Sequence, residues 1–206
     1  MPKSRKTHRE IEIKLPVTDH RAAARAIQAL GATSHGRVFE TNTLYDTPQS
    51  DLRSRGRLLR VRIETPTSPK ISHRQSSRVV LTAKAPQQST IAPKAHPRYK
   101  VRAEREVQAR HPHNWPAALK TLGLRPSFRY EKYRTSFRLG RLHMDLDETP
   151  VGVFLELEGP PSAIDRVARA LGYQPSAYIR GTYWDVYAAD CRRRGRKLAN
   201  MVFPPK

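Results

Sequence analysis

The chain holds a single cysteine, Cys191, in 206 residues. No disulfide can form within it and no cysteine-based zinc site can be built, so a reducing, cytoplasmic setting is the expectation. Aromatic residues make up only 7%, too few to argue for a stacked platform that reads RNA bases in sequence. No apolar run reaches the ~20 residues needed to span a bilayer. The opening Met1-Pro2-Lys3-Ser4-Arg5-Lys6 has charge without an apolar core behind it, so no secretory signal is expected and no membrane partner. The eight histidines include His111-Pro112-His113 but no pair at helical ligand spacing. Acidic residues are scarce as well: 18 against 39 Lys and Arg, a formal charge of +21. That imbalance implies a polyanionic ligand, polyanionic surroundings, or both.

What the chain does have is alternation. In Glu10-Ile11-Glu12-Ile13-Lys14, charged and apolar residues trade places with period two, the mark of a strand with one ionic and one apolar face. The pattern returns in Leu58–Glu64, with Arg60, Arg62 and Glu64 on one face, and in Val79–Ala85, with Val80, Thr82 and Lys84. Tyr99–Gln108 aligns Lys100, Arg102, Glu104 and Glu106. Arg129–Leu139 aligns Lys132, Arg134 and Ser136. Leu142–Asp147 aligns His143, Asp145 and Asp147, and Val153–Glu158 aligns Phe154, Glu156 and Glu158. Val38–Tyr45 makes an eighth strand, and Gly140-Arg141 reads as a tight hairpin turn.

Helices are expected after Asp19, after Asp46-Thr47-Pro48, behind an Asn114 cap, from Ser162, and from Ser176 through Trp184 to Arg192-Arg193-Arg194. Thr65–Arg78 and Pro86–Pro97 read as exposed loops. The expectation is one domain over residues 1–206, with a core of about 9–185, a flexible basic arm over 1–8 and a flexible tail over 195–206. The fold class is α+β: an eight-stranded antiparallel closed β-barrel with helices packed on the outside.

A sandwich with its apolar faces inside is the alternative. The helices, however, need a sheet face for their own apolar stripes, and Ile11, Ile13, Val101, Val107, Leu155 and Leu157 would supply it. The ionic faces then turn inward. Buried unpaired charges are very costly, so such a lining must be wet, mutually paired or filled by a ligand. Its acids would be Glu10, Glu12, Glu104, Glu106, Asp145, Asp147, Glu156 and Glu158. Its bases would be Lys14, Arg60, Arg62, Lys84, Arg102, Lys132 and Arg134. Clustered carboxylates suit a hard cation such as Mg²⁺ or Mn²⁺, and Arg with Lys suits a phosphate chain.

Taken in order, these segments resemble the CYTH superfamily, the triphosphate tunnel metalloenzymes. That superfamily includes class IV adenylyl cyclases, thiamine and inorganic triphosphatases and fungal RNA triphosphatases. Glu10–Lys14 matches its ExExK. Leu44-Tyr45-Asp46-Thr47-Pro48 with Leu59-Arg60-Val61-Arg62 is similar to its YxDTP and LRxR stretch. Lys84 falls in its TxK strand, Tyr99–Glu106 is similar to its RxExE strand, and Lys132-Tyr133-Arg134 is its KxR. Asp145 to Glu158 is similar to its acidic strand and final ExE.

The resemblance implies a tunnel in which Lys14, Arg60, Arg62, Lys84, Arg102, Lys132 and Arg134 hold a triphosphate. It implies one or two Mg²⁺ or Mn²⁺ ions on Glu10, Glu12, Glu104, Glu106, Asp145, Glu156 and Glu158, with Asp147 behind them or in a turn. Glu104 or Glu106 would activate water, and Lys14 is the third residue assigned a catalytic part. Tyr178–Tyr183 is only loosely similar to the segment that closes one tunnel mouth.

Metal-dependent hydrolysis of a triphosphate (inorganic, thiamine or nucleoside) is the expected function. Cyclisation of ATP to cyclic AMP and pyrophosphate stays open, because both reactions need the same clamp, and so does a binding module without turnover. Excess positive charge outside the lining, in Met1–Arg9, the two loops and Arg192–Lys197, suggests a salt-sensitive attraction to RNA or polyphosphate. Monomer and homodimer are equally compatible with the sequence.

Overall fold

A computed structural model describes residues 8–67, 77–86, 98–109 and 115–205. Eight strands close into one antiparallel barrel in the order β1-β5-β4-β3-β2-β6-β7-β8. They are β1 (His8–Val17), β2 (Thr33–Asp46), β3 (Leu58–Pro66), β4 (Arg78–Pro86), β5 (Lys100–Ala109), β6 (Arg125–Leu139), β7 (Leu142–Thr149) and β8 (Gly152–Glu158). Closure leaves no strand without neighbours, which is what lets a charged interior coexist with a stable sheet. Leu139 pairs with Leu142 across the expected two-residue turn. Gly140 takes φ +56° there, a left-handed angle that costs glycine little.

The apolar faces point outward and are covered by helices. α1 (His20–Ala29) starts at Asp19, whose carboxylate accepts the N–H groups of Arg21 and Ala22. A main core beneath α1 and a later helix gathers Ile13, Leu15, Met144, Leu146, Leu155 and Leu157, none more than 1% exposed. α2 (Asp51–Ser54) follows the Asp46 turn, and α3 (Trp115–Thr121) seats Leu119 against Tyr45, Val61 and Val79. The later helix of the main core, α4 (Pro161–Ala170), contributes Ile164, Val167 and Ala168. Val107, expected under a helix, is 54% exposed: α3 leans toward β2, β3 and β4 instead of over β5.

The C-terminal third departs from the sequence reading in two places. The last helix, α5 (Tyr183–Arg193), begins seven residues later than the expected Ser176, after a separate 3₁₀ turn at Pro175–Ala177. A reciprocal cap sets that start: the Thr182 hydroxyl accepts the Asp185 N–H, and the Asp185 carboxylate accepts the Thr182 N–H.

The tail, expected to be flexible, is docked. β7 pairs with β6 only from Tyr133 onward, which leaves an open edge at the start of β6. Residues around Met201 fill it: the Met201 N–H donates to the Arg129 carbonyl at 3.0 Å, and the Glu131 N–H donates to the Met201 carbonyl at 2.9 Å. Met201 is 1% exposed, among Phe128, Tyr130, Phe154 and Tyr183. An unpaired strand edge is a liability that some element must cover. The tail has too few apolar residues for local pattern to reveal that it does so.

Residues 1–7 of the basic arm, the Asn114 cap and most of the two loops lie outside the described residues. Among the described residues, no helix is long and apolar enough to cross a membrane.

Candidate active site

Alternate residues of the strands project into a cavity of about 910 Å³ along the barrel axis. Lys14, Arg60, Arg62, Lys84, Arg102, Lys132 and Arg134 all line it, and so do Glu10, Glu12, Glu104, Glu106, Asp145, Glu156 and Glu158. The inward turn of the ionic faces is therefore a fact of the fold. Lys100, Tyr130, Thr182 and Tyr183 line the cavity too and were missed as site residues. Lys100 was readable, since it shares a face with Arg102, Glu104 and Glu106.

The lining is mutually paired, in two groups that meet at Glu156, which both Arg134 and Lys14 contact. In the first, Arg134 sends Nε to Asp147 Oδ1 at 2.7 Å and Nη2 to Asp147 Oδ2 at 2.6 Å, with Nη1 2.6 Å from Asp145. Lys132 donates to Asp147 at 2.8 Å. Asp147 is thus not in a turn but behind the lining, the other position expected for it. It sits mid-strand, fully buried, and aims two phosphate-binding candidates.

Glu40 on β2 was not foreseen at all, yet it is 0% exposed and lies 3.4–3.6 Å from Arg62, Lys132 and Arg134. In the second group, Lys84 donates to Glu10 at 2.6 Å and lies 3.2 Å from Glu104. Lys100 pairs with Glu12, and Lys14 bridges Glu12 and Glu156 at 3.4 and 3.1 Å. Arg60 donates to the Tyr130 and Thr82 hydroxyls, and Thr82 in turn donates to Glu106 at 2.9 Å.

These pairings set the ionisation. Burial pulls the Lys14 ammonium down, but Glu12 and Glu156 beside it more than offset this and hold it above the usual lysine value. Lys14 therefore serves as a fixed positive charge rather than as a base. Burial pushes Glu40 up, but Arg62, Lys132 and Arg134 pull it below the ordinary carboxylate range. A depressed carboxyl contributes stability that is full above its unfolded pKa, near 4.5, and is lost as pH falls toward the folded value. Glu40→Gln is accordingly expected to unfold about 2 kcal/mol more easily at pH 7 and to lose less on acidification below pH ~4.5 than the parent chain. Urea melts at pH 7 and pH 3.5 check both signs, and parallel acid limbs would refute the assignment.

An aromatic cluster flanks the bore: Tyr130 and Tyr183 line it and pack with Phe128 and Phe154, and the Ile179 backbone exchanges two hydrogen bonds of 2.9 Å with Lys14. The Tyr183 hydroxyl donates to Asp147 at 2.6 Å. Burial and the nearby Asp147 carboxylate hold that phenol well above its usual pKa, so it remains a donor. Within the segment from Tyr178 to Tyr183, Thr182 and Tyr183 line the cavity.

Whether the acids suit a metal ion turns on the second group. Among the described residues, no three carboxylate or imidazole side chains converge closely enough to cage an ion as they stand. Yet Glu12 faces Glu158 directly across paired strands, an arrangement that repels without a cation nearby, whereas Asp145 and Glu156, also paired, share Arg134. Glu10 Oε2 is buried with no hydrogen-bond partner. Burial, and then the charge of Glu12, push the Glu10 carboxyl up to about 8. Carboxylate oxygens that are only partly neutralised fit a hard divalent cation. Lys14, Lys84 and Lys100 supply part of that charge here.

The family model of the CYTH domain matches residues 8–180. No curated protein matches the chain significantly in sequence. Among solved structures, a Pyrococcus horikoshii protein aligns with TM-score 0.70 at 21% identity, covering 88% of this chain and 99% of that one. A Vibrio parahaemolyticus protein described as an adenylate cyclase candidate aligns with TM-score 0.68 at 18% identity, covering 89% and 99%. A Hippeastrum protein described as an adenylyl cyclase candidate with a dominant triphosphatase activity aligns with TM-score 0.53 at 18% identity, covering 92% and 97%. At these identities the likeness speaks for the fold alone.

Proposed function

We propose that this chain, which belongs to the CYTH domain family, is a divalent-metal-dependent triphosphatase. The observation that carries the reading is the bore itself, where ten Lys and Arg side chains converge with seven carboxylates in one cavity. Phosphoryl transfer asks a protein mainly for positioning and charge stabilisation, and this lining offers both.

An entering triphosphate would take over the partners now held by the carboxylates. Arg62, Lys132 and Arg134 are pre-aimed by Glu40 and Asp147. Arg60 is steadied by Tyr130 and Thr82. Lys14, Lys84 and Arg102 complete the set. Glu10, Glu12, Glu156 and Glu158 would hold Mg²⁺ or Mn²⁺, with Glu104, Glu106 and Asp145 nearby. When bound, the ion neutralises phosphate oxygens and activates the attacking group.

Of the two candidates for taking a proton from water, Glu106 already accepts the Thr82 hydroxyl, whereas Glu104 is held by Lys84 at 3.2 Å. Glu104 is the freer acceptor. Hydrolysis needs only water at the terminal phosphate; cyclisation needs the ribose 3′-hydroxyl posed at the α-phosphate.

The deciding experiment supplies ATP, thiamine triphosphate and inorganic triphosphate with Mg²⁺ or Mn²⁺, and assays free phosphate and cyclic AMP. Metal-dependent phosphate release, abolished by a chelator, is the expected result. Cyclic AMP and pyrophosphate without free phosphate would make the chain a cyclase.

A further inference from the structure

The Lys and Arg side chains of the bore are largely offset by the carboxylates beside them, so most of the formal charge of +21 lies on other parts of the chain. On one face of the exterior that charge is ordered. α1 exposes Arg21, Arg25 and Gln28, and α4 exposes Ser162, Arg166 and Arg169. Both triplets follow the spacing i, i+4, i+7, which at 3.6 residues per turn makes a single stripe. The buried side chains, Ile27 in α1 and Ile164, Val167 and Ala168 in α4, occupy the opposite side of each helix. The two stripes therefore point away from the barrel.

The helices lie side by side. α1 touches β7 and α4 touches β1, and β8 lies between those two strands. Two strand spacings come to about 10 Å, the usual distance between packed helices. Their senses are opposed: α1 leaves the end of β1, α4 leaves the end of β8, and β1 and β8 are antiparallel. Arg21 is thus brought toward Arg169, Arg25 toward Arg166 and Gln28 toward Ser162. Among the described residues, none of these four guanidinium groups has a hydrogen-bond or ion-pair partner, whereas the exposed Arg37, Arg98, Arg129 and Arg193 each hold a carboxylate. The two acids of these helices are committed elsewhere. Asp19 caps α1, and Asp165 lies 3.6 Å from Arg98 and accepts the Tyr178 hydroxyl at 3.0 Å.

We propose that this double stripe is a docking face for the sugar–phosphate backbone of duplex RNA, bound without reading its sequence. Two rows of unpaired cations about 10 Å apart can reach phosphates of both strands across a narrow groove, and the forked guanidinium is the side-chain group that fits phosphate oxygens. The other exposed side chains of the two helices are alanines, Ala22, Ala26, Ala29 and Ala170, so a backbone can approach closely. Neither stripe carries an aromatic ring on which an unpaired base would stack, which favours a duplex over a single strand. An A-form duplex presents 2′-hydroxyls beside its phosphates. Gln28 and Ser162 offer these hydroxyls hydrogen-bond partners, and a DNA duplex has no such group to engage.

Fluorescence anisotropy with the full chain and a labelled RNA duplex of about 20 base pairs, between about 50 and 200 mM salt, tests the face. Arg21→Ala, Arg25→Ala, Arg166→Ala and Arg169→Ala, combined, should flatten the slope of log K against log salt by about 3, near the roughly 0.9 carried by each phosphate contact. A control removes the same number of charges elsewhere, by Arg55→Ala, Arg57→Ala, Arg192→Ala and Arg196→Ala, and should change the slope by less than about 1. All eight positions are exposed, where substitution costs a fold little. If the first fourfold variant does not fold, its α1 pair and its α4 pair, made separately, should each produce about half the change. Equal flattening by the two fourfold variants would mean diffuse charge and overturns the face. Tighter binding of single-stranded RNA of the same length, equal binding of a DNA duplex of the same sequence, or no salt-dependent binding by the parent chain overturns it as well.

Discussion

Replacing Arg134 with alanine should cost about 3–5 kcal/mol of folding stability and abolish triphosphate turnover. Few side chains in the molecule satisfy as many opposite charges. Its guanidinium contacts Asp145, Asp147 and Glu156 and approaches Glu40 at 3.6 Å, while remaining only 9% exposed. Burial works against its charge, and those carboxylates hold it in place regardless. Alanine leaves the acids in a buried bore with Lys14, Lys132 and Arg62 as the remaining cations. Removing one partner of a buried ionic network is costly because the others stay uncompensated. For a chain of this size each kcal/mol moves the melting midpoint by roughly 2–4 °C, so a fall of about 10 °C or more is expected in a thermal melt. Arg134→Lys separates charge from geometry: it should recover part of the stability, but not the forked contact that a phosphate or carboxylate requires. A melting point within a degree or two of the parent for Arg134→Ala would mean that the network contributes little.

Glu156→Gln tests an acid of the same network. Glu156 lies between Lys14 and Asp145 in the strand register, 3.1 Å from the Lys14 ammonium. Lys14, Lys132 and Arg134 outweigh the effect of burial and hold its carboxyl well below the ordinary range, so it is ionised at neutrality. Glutamine preserves size and one oxygen but discards the charge that a hard cation needs. Hydrolysis at fixed metal is expected to fall about 10²–10³-fold, the scale for losing one preorganised electrostatic contact in an active site, and the metal concentration for half-maximal rate should rise. The variant should remain folded by far-ultraviolet circular dichroism. A rate equal to that of the parent across a Mg²⁺ and Mn²⁺ titration would remove Glu156 from the ligand set.

The barrel was legible because in most strands charge and apolarity alternate without interruption. Glu10-Ile11-Glu12-Ile13-Lys14 states both its period and its two environments. Glu40 was illegible for the complementary reason. It sits in Val38-Phe39-Glu40-Thr41-Asn42-Thr43, where polar Thr41 and Thr43 occupy the outer face, so a lone acid raises no contrast. Its parity with Asn42 and Leu44 was the available signal. Asp147 was half legible: it lies close to a turn in sequence, and only Arg134 and Lys132, reaching it from β6, decide that it stands behind the lining instead. The docked tail and the aromatic cluster at Tyr183 depend on edges and openings that exist only once the barrel has closed.

The pre-paired lining carries a consequence for selectivity. Lys14, Lys84, Lys100, Lys132 and Arg134 each already hold an internal anion, so the barrel behaves like an ion-exchange resin folded in on itself. A univalent visitor such as chloride gains one contact and must evict a tethered competitor to get it. A flexible polyvalent chain evicts several at once and shares the entropic penalty among them. Discrimination by valence thus follows from the wall's own pairing.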